Sequence, residues 1–403
     1  MNGEQFLKGA ENYKDKLIKN RRYLHEHPET GFDLTETIAY VKSELTEMGY
    51  EVKECGKAGL TATVGKKEGK VFLIRADMDA LPIKEESGVE FASKNGRMHA
   101  CGHDMHTAML LGAARLLKER ENEIEGTVKL MFQSAEEIFE GSGDMIKAGV
   151  LENPKVDAAL MIHVMAGVPI KAGTVIVSAP GVSAPAADYF EISVQGKGCH
   201  GSMPNLGTDP INAAAHILIA LQEINARELA ALDKAVLTIG KINGGTASNV
   251  IPDKVIMGGS LRTYDEETRG FIKQRMEEIA KNTAAAFRTK AEVVFGSGCP
   301  TLLNNEELSA DAEKYVEELL GNEKTISAAQ MNSGGLSKTA GSEDFAHVSQ
   351  EVPSIMLALA AGEPEKGYKY PQHHPQVKFD EEALAAGCAV YAYTAMRWLE
   401  EHK

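Results

Sequence analysis

The sequence contains few cysteines, a single tryptophan and no long apolar run. Its 403 residues include five cysteines, which are widely scattered and odd in number. This pattern does not fit a disulfide framework, so a reducing cytoplasm is the expected compartment. No stretch of about 18 apolar residues occurs, and the N-terminus lacks the apolar core of a secretory signal. We therefore expect neither a membrane span nor a membrane partner.

The charge balance is acidic. The chain has 43 Lys and Arg residues against 58 Asp and Glu residues, a net charge of −15. No clustered basic tract reverses this balance locally, which argues against binding to nucleic acid or to anionic lipid. A chain of this length is too long for one small core and predicts two domains, or one domain with a large insertion.

The two ends of the chain alternate helices with buried strands, which predicts an α/β domain with a mostly parallel sheet. The predicted helix that starts at Asp104 has this residue as its expected N-cap. After Pro300 the alternation of helices with buried strands resumes. The predicted helices are 34–49, 104–123, 306–320 and about 380–401, and the predicted strands are 70–80, 127–133, 158–164 and 353–360.

The middle of the chain has a different pattern. A half-exposed strand (188–198) is followed by a helix (209–226), two strands (236–242 and 254–264), a helix (266–287) and a strand (291–297). This βαββαβ order is typical of ferredoxin-like domains. We therefore predict an inserted domain at 184–298 within a split domain formed by 1–183 and 299–403.

Side chains that can bind metal occur next to these predicted strands and helices. Cys101 and His103 precede the helix at 104–123, and a thiolate and an imidazole two residues apart can reach one ion. A His-rich helix-capping loop is the structural alternative. Glu136 and Glu137 follow a buried strand, so that one carboxylate can bind metal while the other activates a water. A solvated loop would contain such a pair equally well.

Two further places hold histidines. His163 ends a buried apolar run, where a histidine with only a structural role is common. His373 and His374 lie side by side near the C-terminus, where a surface position is the alternative. Taken singly, none of these places decides between a structural and a metal-binding role.

Taken together, these motifs resemble amidohydrolases of the hippurate hydrolase and auxin-conjugate hydrolase type, within the aminoacylase and carboxypeptidase clan of dimetal peptidases. The similar blocks occur in one order over nearly the whole chain: LHEHPETGF (24–32), RADMDALPI (75–83), HACGHDMHTA (99–108), FQSAEEIFEG (132–141), IHV (162–164), GKGCHG (196–201), ASNVIPD (247–253), GSEDFA (341–346) and HHPQVKFDE (373–381).

The resemblance implies a site for two divalent ions, of zinc, manganese, cobalt or nickel. Its implied metal ligands are Cys101, His103, Glu137, His163 and His373. His374 is the alternative to His373, and His106 would be the alternative to Cys101. The resemblance further implies that Glu136 is the catalytic acid/base and that Asp79 lies behind a metal ligand.

In the family that the chain resembles, the inserted domain is a lid and a dimerisation module. His200 matches a histidine that polarises the scissile carbonyl, often in the partner subunit. Asn249 and Arg262 match lid residues that face the substrate's carboxylate. The resemblance thus implies a homodimer or a higher homo-oligomer.

The expected function is metal-dependent hydrolysis of the amide bond of N-acetyl or N-benzoyl amino acids. A dipeptidase of the same clan would use the same metals but would recognise a free α-amine. A catalytically silent metal-binding dimer is the alternative from another class, and the presence of Glu136 beside a full ligand set argues against it.

Overall fold

The computed structural model describes residues 2–327, 329–330 and 341–403. These residues form two compact units. The second unit is Ala184–Leu302 with a short later segment that ends at Ser342, and the first unit takes the rest of the described chain. The inserted domain at 184–298 stays a prediction; the second unit runs past residue 298, and its last long strand continues to Cys299.

The first unit contains most of the helices and strands. Numbered in chain order over the described residues, its helices are α1 (Gly3–Asn12), α2 (Lys14–Glu26), α3 (Thr35–Glu47), α4 (His103–Glu119), α5 (Gly141–Lys147), α8 (Glu306–Leu320), α9 (Ala346–Glu351) and α10 (Ala383–Glu401). Its strands are β1 (Lys53–Cys55), β2 (Gly59–Val64), β3 (Val71–Asp77), β4 (Thr127–Gln133), β5 (Ala158–Met165), β6 (Val175–Val177), β7 (Gly181–Ala184), β14 (Leu302–Asn304), β15 (Thr325–Ile326) and β16 (Ser354–Ala360).

Eight of these strands form one sheet, in the order β1-β2-β4-β3-β5-β16-β6-β15. Its central strands β4, β3, β5 and β16 run parallel to one another, whereas β2 pairs antiparallel with β1 and β4, and β6 pairs antiparallel with β16. The central strands are buried along nearly their whole length, as their apolar sequences predict. The predicted α/β fold with a largely parallel central sheet is confirmed.

Helix α4 is buried on almost all sides and packs into the core beside this sheet. Its N-cap is Gly102, so the predicted cap at Asp104 is wrong. The Asp104 carboxylate accepts hydrogen bonds from Arg21 Nε at 2.7 Å and lies 2.9 Å from His25 Nδ1. Both partners belong to α2. The Asp104 side chain, which the sequence predicts to be a helix cap, therefore forms a tertiary ion pair instead.

The second unit is built around an antiparallel sheet in the order β10-β12-β8-β13. Helices α6 and α7 share an apolar core with this sheet. The chain order of these six elements is strand, helix, strand, strand, helix, strand, as predicted; their roles as a lid and a dimerisation module stay predictions. The bounds are β8 (Ala186–Gln195), β9 (Cys199–His200), α6 (Pro210–Glu223), β10 (Ala235–Gly244), β11 (Val250–Ile251), β12 (Lys254–Thr263), α7 (Glu266–Ala286) and β13 (Lys290–Cys299).

None of the helices in the described part of the chain combines the length and the apolarity that crossing a bilayer requires.

Candidate metal centre

The carboxyl ends of three neighbouring strands bring the predicted site residues together. Strands β4, β3 and β5 lie side by side and parallel. Strand β3 ends two residues before Asp79; Glu136 and Glu137 follow β4, and His163 lies near the end of β5. Since parallel strands present their carboxyl ends at one edge, side chains that are far apart in sequence meet there.

All five predicted ligands belong to one cluster in the first unit. Cys101 Sγ lies 3.5 Å from His163 Nε2 and 3.3 Å from His373 Nε2. His373 Nε2 lies 3.5 Å from Glu137 Oε2, and His103 Nε2 lies 3.9 Å from Glu137 Oε1. Among the donor groups that are compact enough to hold an ion, two share the Cys101 thiol: Cys101, His103 and His163 form one, and Cys101, Glu137 and His373 form the other.

Gly102 makes the close approach of Cys101 and His103 to β5 possible. Its φ is +94°, a left-handed conformation that favours glycine. A Cβ atom at this position would lie 2.4 Å from Val164 Cγ2. The sequence Cys-Gly-His therefore turns tightly against the end of the strand that carries His163.

The ring orientations of two histidines suit metal binding. His103 Nδ1 donates to the main-chain oxygen of Asp79 at 2.8 Å, and His163 Nδ1 donates to the main-chain oxygen of Val164 at 2.8 Å. Each ring thus presents the lone pair of Nε2 to the cluster, which is the arrangement that metal-binding histidines adopt. His103 Nε2 and Glu137 Oε1 are buried without a hydrogen-bond partner among the described residues. The donor set fits divalent metal.

His373, and not its neighbour His374, enters the cluster. His373 has a φ of +64°, a costly conformation for a side-chain-bearing residue, and its N–H donates to the oxygen of Ala100 at 2.9 Å. His374 stacks on Tyr370 with ring centroids 4.1 Å apart, and its Nδ1 accepts the N–H of Gln376. The main-chain bond to Ala100 holds the strained residue against the Cys101 loop.

Asp79 lies behind His103 and also contacts the turn formed by Glu136 and Glu137. Its main-chain oxygen lies behind His103, while its carboxylate is 3.6 Å from His103 Nδ1. The carboxylate oxygens instead accept the N–H groups of Glu136 at 3.0 Å and Glu137 at 3.1 Å. Asp79 therefore orients the Glu136–Glu137 turn as well as the imidazole.

His106 and Asp77 form a supporting pair that the sequence interpretation missed. His106 Nε2 accepts the N–H of Val164 at 2.9 Å, so its Nδ1 carries the proton and donates to Asp77 Oδ1 at 2.6 Å. Both ring nitrogens are engaged, which leaves His106 unsuited to replace Cys101 as a ligand. The sequence signal for a role of His106 near the site was its position, one helical turn after His103.

Protons compete for the donor atoms of this cluster. Burial, together with the neighbouring carboxylates of Glu343 and Glu137, raises the pKa of Glu136 well above its usual value. Burial raises the pKa of Glu137 to about 8, and burial with the charge of Glu137 raises the pKa of the Cys101 thiol. Because thiolate and carboxylate ligands must be deprotonated, metal binding here has to release protons.

The other three predicted site residues belong to the second unit. His200 in β9 pairs with Val250 in β11, and the oxygen of Asn249 accepts the N–H of Gly201 at 2.7 Å, so His200 and Asn249 are neighbours. Arg262 lies on β12, and its Nη1 donates to Ser342 Oγ at 2.6 Å.

Comparison with known proteins identifies the family. The model of peptidase family M20/M25/M40 matches residues 73–397. The chain belongs to this family. It is 38% identical to N-acetyl-L-cysteine deacetylase of Bacillus subtilis, over 96% of this chain and 89% of the relative. It is 37% identical to IAA-amino acid hydrolase ILR1-like 2 of Arabidopsis thaliana, over 98% and 88%.

A solved structure of the same family superposes on nearly the whole chain. It is the YXEP protein of Bacillus subtilis, described as a dinuclear metal-binding peptidase of the M20 family. The TM-score is 0.77 at 34% identity, and the match covers 97% of this chain and 99% of that one. Together with the family match, these relatives confirm the predicted resemblance. This M20 chain is a metal-dependent amidohydrolase.

Proposed function

We propose that this M20 enzyme hydrolyses the amide bond of small N-acyl amino acids and releases a carboxylate and a free amino acid. One observation supports this most strongly. Five donor side chains converge on one cluster, and the buried Glu136 carboxylate lies beside them, with its Oε2 3.8 Å from His103 Nε2. A silent metal-binding protein would have no use for that additional carboxylate.

The proposed ligands of two divalent ions are Cys101, His103, Glu137, His163 and His373. The similarity to the dinuclear metal-binding YXEP peptidase supports two ions rather than one, and two donor groups that share Cys101 Sγ offer ligands for them. A thiolate among imidazoles favours softer ions such as zinc, while the Glu137 carboxylate also suits manganese. When bound, such ions supply Lewis acidity, which polarises the scissile carbonyl and acidifies a water molecule.

Glu136 is the proposed acid/base. Its carboxylate is buried beside the proposed ligands, where it can accept a proton from water and later deliver it to the leaving amine. Asp79 holds the main chain of Glu136 and Glu137 through two hydrogen bonds. The acid/base and the ligand beside it therefore keep a common orientation while the proton moves.

The second unit supplies the proposed contacts to substrate. We assign His200 to the scissile carbonyl oxygen, and Asn249 and Arg262 to the carboxylate of the amino-acid part. A second copy of the chain is the proposed partner, with the second unit as the dimerisation module. The relatives act on an N-acetyl amino acid and on IAA-amino acid conjugates, which supports an acyl group on the nitrogen and a free carboxylate as the common substrate features.

A panel of substrates tests this function. We expect the metal-loaded protein to release free amino acid from N-acetyl and N-benzoyl amino acids, including N-acetyl-L-cysteine and N-benzoylglycine. Removal of the metals by a chelator should abolish release, and metal analysis of the untreated protein should find about two ions per chain. Amino acid release is measured with a ninhydrin-type assay.

The panel also separates the dipeptidase alternative. Dipeptides of the Gly-X type carry a free α-amine in place of the acyl cap, and an acyl-amino acid hydrolase should cleave them far more slowly. Cleavage of dipeptides at rates comparable to those of N-acyl amino acids would assign the enzyme to the peptidase side of the M20 family instead.

Cys101→Ser should weaken metal binding and shift the preference towards harder ions. A neutral hydroxyl replaces a thiolate that both donor groups share, so ions that favour sulfur lose most. Metal content after equilibration with zinc or manganese measures the effect. Cys55→Ser is the matched control, because Cys55 is also buried but its Sγ contacts only the oxygen of Met145 among the hydrogen bonds described. Unchanged content and selectivity in Cys101→Ser would remove this residue from the ligand set.

A further inference from the structure

Arg75 lies on strand β3, and its guanidinium is fully buried behind the cluster of proposed ligands. Its Nε donates to Gln133 Oε1 at 2.8 Å, and its Nη1 donates to Asp77 Oδ2 at 2.7 Å. Its Nη2 donates to Glu343 Oε1 at 2.9 Å and to Asp344 Oδ1 at 3.0 Å. The Arg75 guanidinium thus binds Asp77, the carboxylate that holds His106, and also the carboxylates of Glu343 and Asp344 from a distant segment of the chain.

Every polar atom of Asp344 takes part in a hydrogen bond. Besides Arg75, its Oδ1 accepts from Gln133 Nε2 at 2.6 Å, and its Oδ2 accepts the N–H of Ser142 at 3.0 Å. Its main-chain oxygen accepts the hydroxyl of Ser142. The remaining polar group, its N–H, donates to Glu136 Oε1 at 3.3 Å. The carboxylate of the proposed acid/base is therefore hydrogen-bonded to a peptide group whose position four other contacts determine.

This contact gives the two oxygens of Glu136 different surroundings. Oε1 is bound to the Asp344 amide, while Oε2 is directed towards the cluster, 3.8 Å from His103 Nε2. A carboxylate that takes a proton from one atom and returns it to another needs one oxygen in a constant place. Rotation about the last side-chain bond of Glu136 would move Oε2 by more than 1 Å, and misplacement on that scale costs about 10²-fold in rate.

We propose that Arg75 and Asp344 are positioning residues for Glu136: they fix the amide that anchors Oε1, so that Oε2 faces the reacting atoms. This inference rests on the acid/base role proposed for Glu136. Neither Arg75 nor Asp344 makes a described hydrogen bond to the five proposed ligands. Arg75 also binds Asp77, the partner of His106, whereas Asp344 reaches Glu136 directly through its N–H. The pairing joins residues 269 positions apart, which explains why a local motif did not reveal it.

Asp344→Asn tests the inference. One oxygen of Asp344 faces Arg75 and Gln133 and the other faces the N–H of Ser142, so whichever way an asparagine turns, its amide nitrogen meets a donor. We expect kcat to fall by about 10–10²-fold, with KM within about threefold and metal content unchanged. A crystal structure of the metal-free variant should show the Glu136 carboxylate displaced from the residue 344 nitrogen.

A double-mutant cycle with Glu136→Gln separates positioning from general damage. If Asp344 acts only through Glu136, the Asp344→Asn change should cost little once Glu136 has lost its function, less than about threefold. A full additional loss in the Glu136→Gln background, or a loss confined to KM or to metal content, would overturn the inference. If Glu136→Gln alone remains active, the proposed acid/base role fails instead, so the two failures are distinguishable.

Two further variants keep the test valid should Asp344→Asn fold poorly. Ser142→Ala removes one contact to the Asp344 oxygen and should give a smaller loss of kcat with the same non-additivity. Tyr391→Phe is the control, because the Tyr391 hydroxyl donates to the main-chain oxygen of Arg75 at 2.7 Å and leaves its guanidinium bonds alone. We expect Tyr391→Phe to cost stability but to keep kcat. A loss of kcat in Tyr391→Phe equal to that in Ser142→Ala would mean that any damage to this core slows the enzyme, and would overturn the inference.

Discussion

Replacing Glu136 with glutamine should lower kcat by about 10²–10⁴-fold while metal content and fold are retained. Glutamine has nearly the shape of glutamate, and its oxygen can still accept the Asp344 N–H that now binds Glu136 Oε1. What it cannot do is accept a proton from water. Steady-state kinetics on the preferred N-acyl amino acid, with metal analysis and thermal unfolding of the same preparation, measures each part of this expectation.

Glu140→Gln is the matched control for this change. Glu140 belongs to the same loop and is exposed, whereas Glu136 is buried in the cluster. The control should leave kcat unchanged, because a solvated carboxylate four residues away has no part in the proposed proton transfer. If kcat of Glu136→Gln stays within about tenfold of the wild-type value, another group must act as the acid/base.

Much of the site could be predicted because its residues follow strands that are recognisable in the sequence as apolar runs. Strands β3, β4 and β5 are apolar runs, and parallel pairing places the residues after them at one edge. Glu136, Glu137 and His163 could therefore be expected to meet. The spacing of Cys101 and His103 suggested that they could bind one ion, and the full ligand set with His373 came from the family resemblance. The structure brings all of these residues into the same cluster. Their roles as ligands stay predictions until metal is measured.

The contacts behind the cluster could not be predicted, because they depend on packing between distant segments. Asp104 looks like a helix cap in sequence, yet Arg21 and His25 from α2 take its carboxylate. Arg75 and Asp344 meet only once β3 and the segment before α9 are both in place. Such buried charges have no periodicity in sequence, and only their partners make their burial tolerable.

The second unit illustrates the same limit. Its six long elements follow the predicted order, since alternating strands and amphipathic helices leave clear patterns. The second unit extends beyond residue 298, and its last long strand, β13, continues to Cys299 through pairing with β8. Strand ends are set by pairing rather than by composition. No pattern within the strand itself signals where pairing with β8 stops.

His200→Ala should lower kcat by about 10²–10³-fold, equivalent to about 2.7–4 kcal/mol for one donor to a developing oxyanion, without loss of metal. The Ser202 N–H donates to His200 Nδ1 at 3.2 Å, so in the neutral ring the proton lies on Nε2, which is then free to donate to a carbonyl oxygen. His216→Ala is the control, because His216 is also exposed in the second unit but stacks on Phe287. It should keep full activity.

The resemblance assigns His200 to the active site of the partner subunit, and mixing two inactive variants tests this. A dimer of one His200→Ala chain and one Glu136→Gln chain would contain one site with both an intact Glu136 and an intact His200. Equal mixing with free exchange makes half of the dimers mixed, each with one working site, so activity should return to about a quarter of the wild-type value. Differently tagged subunits report exchange by native mass spectrometry. Exchange without recovery of activity would place His200 in the site of its own chain, or outside catalysis.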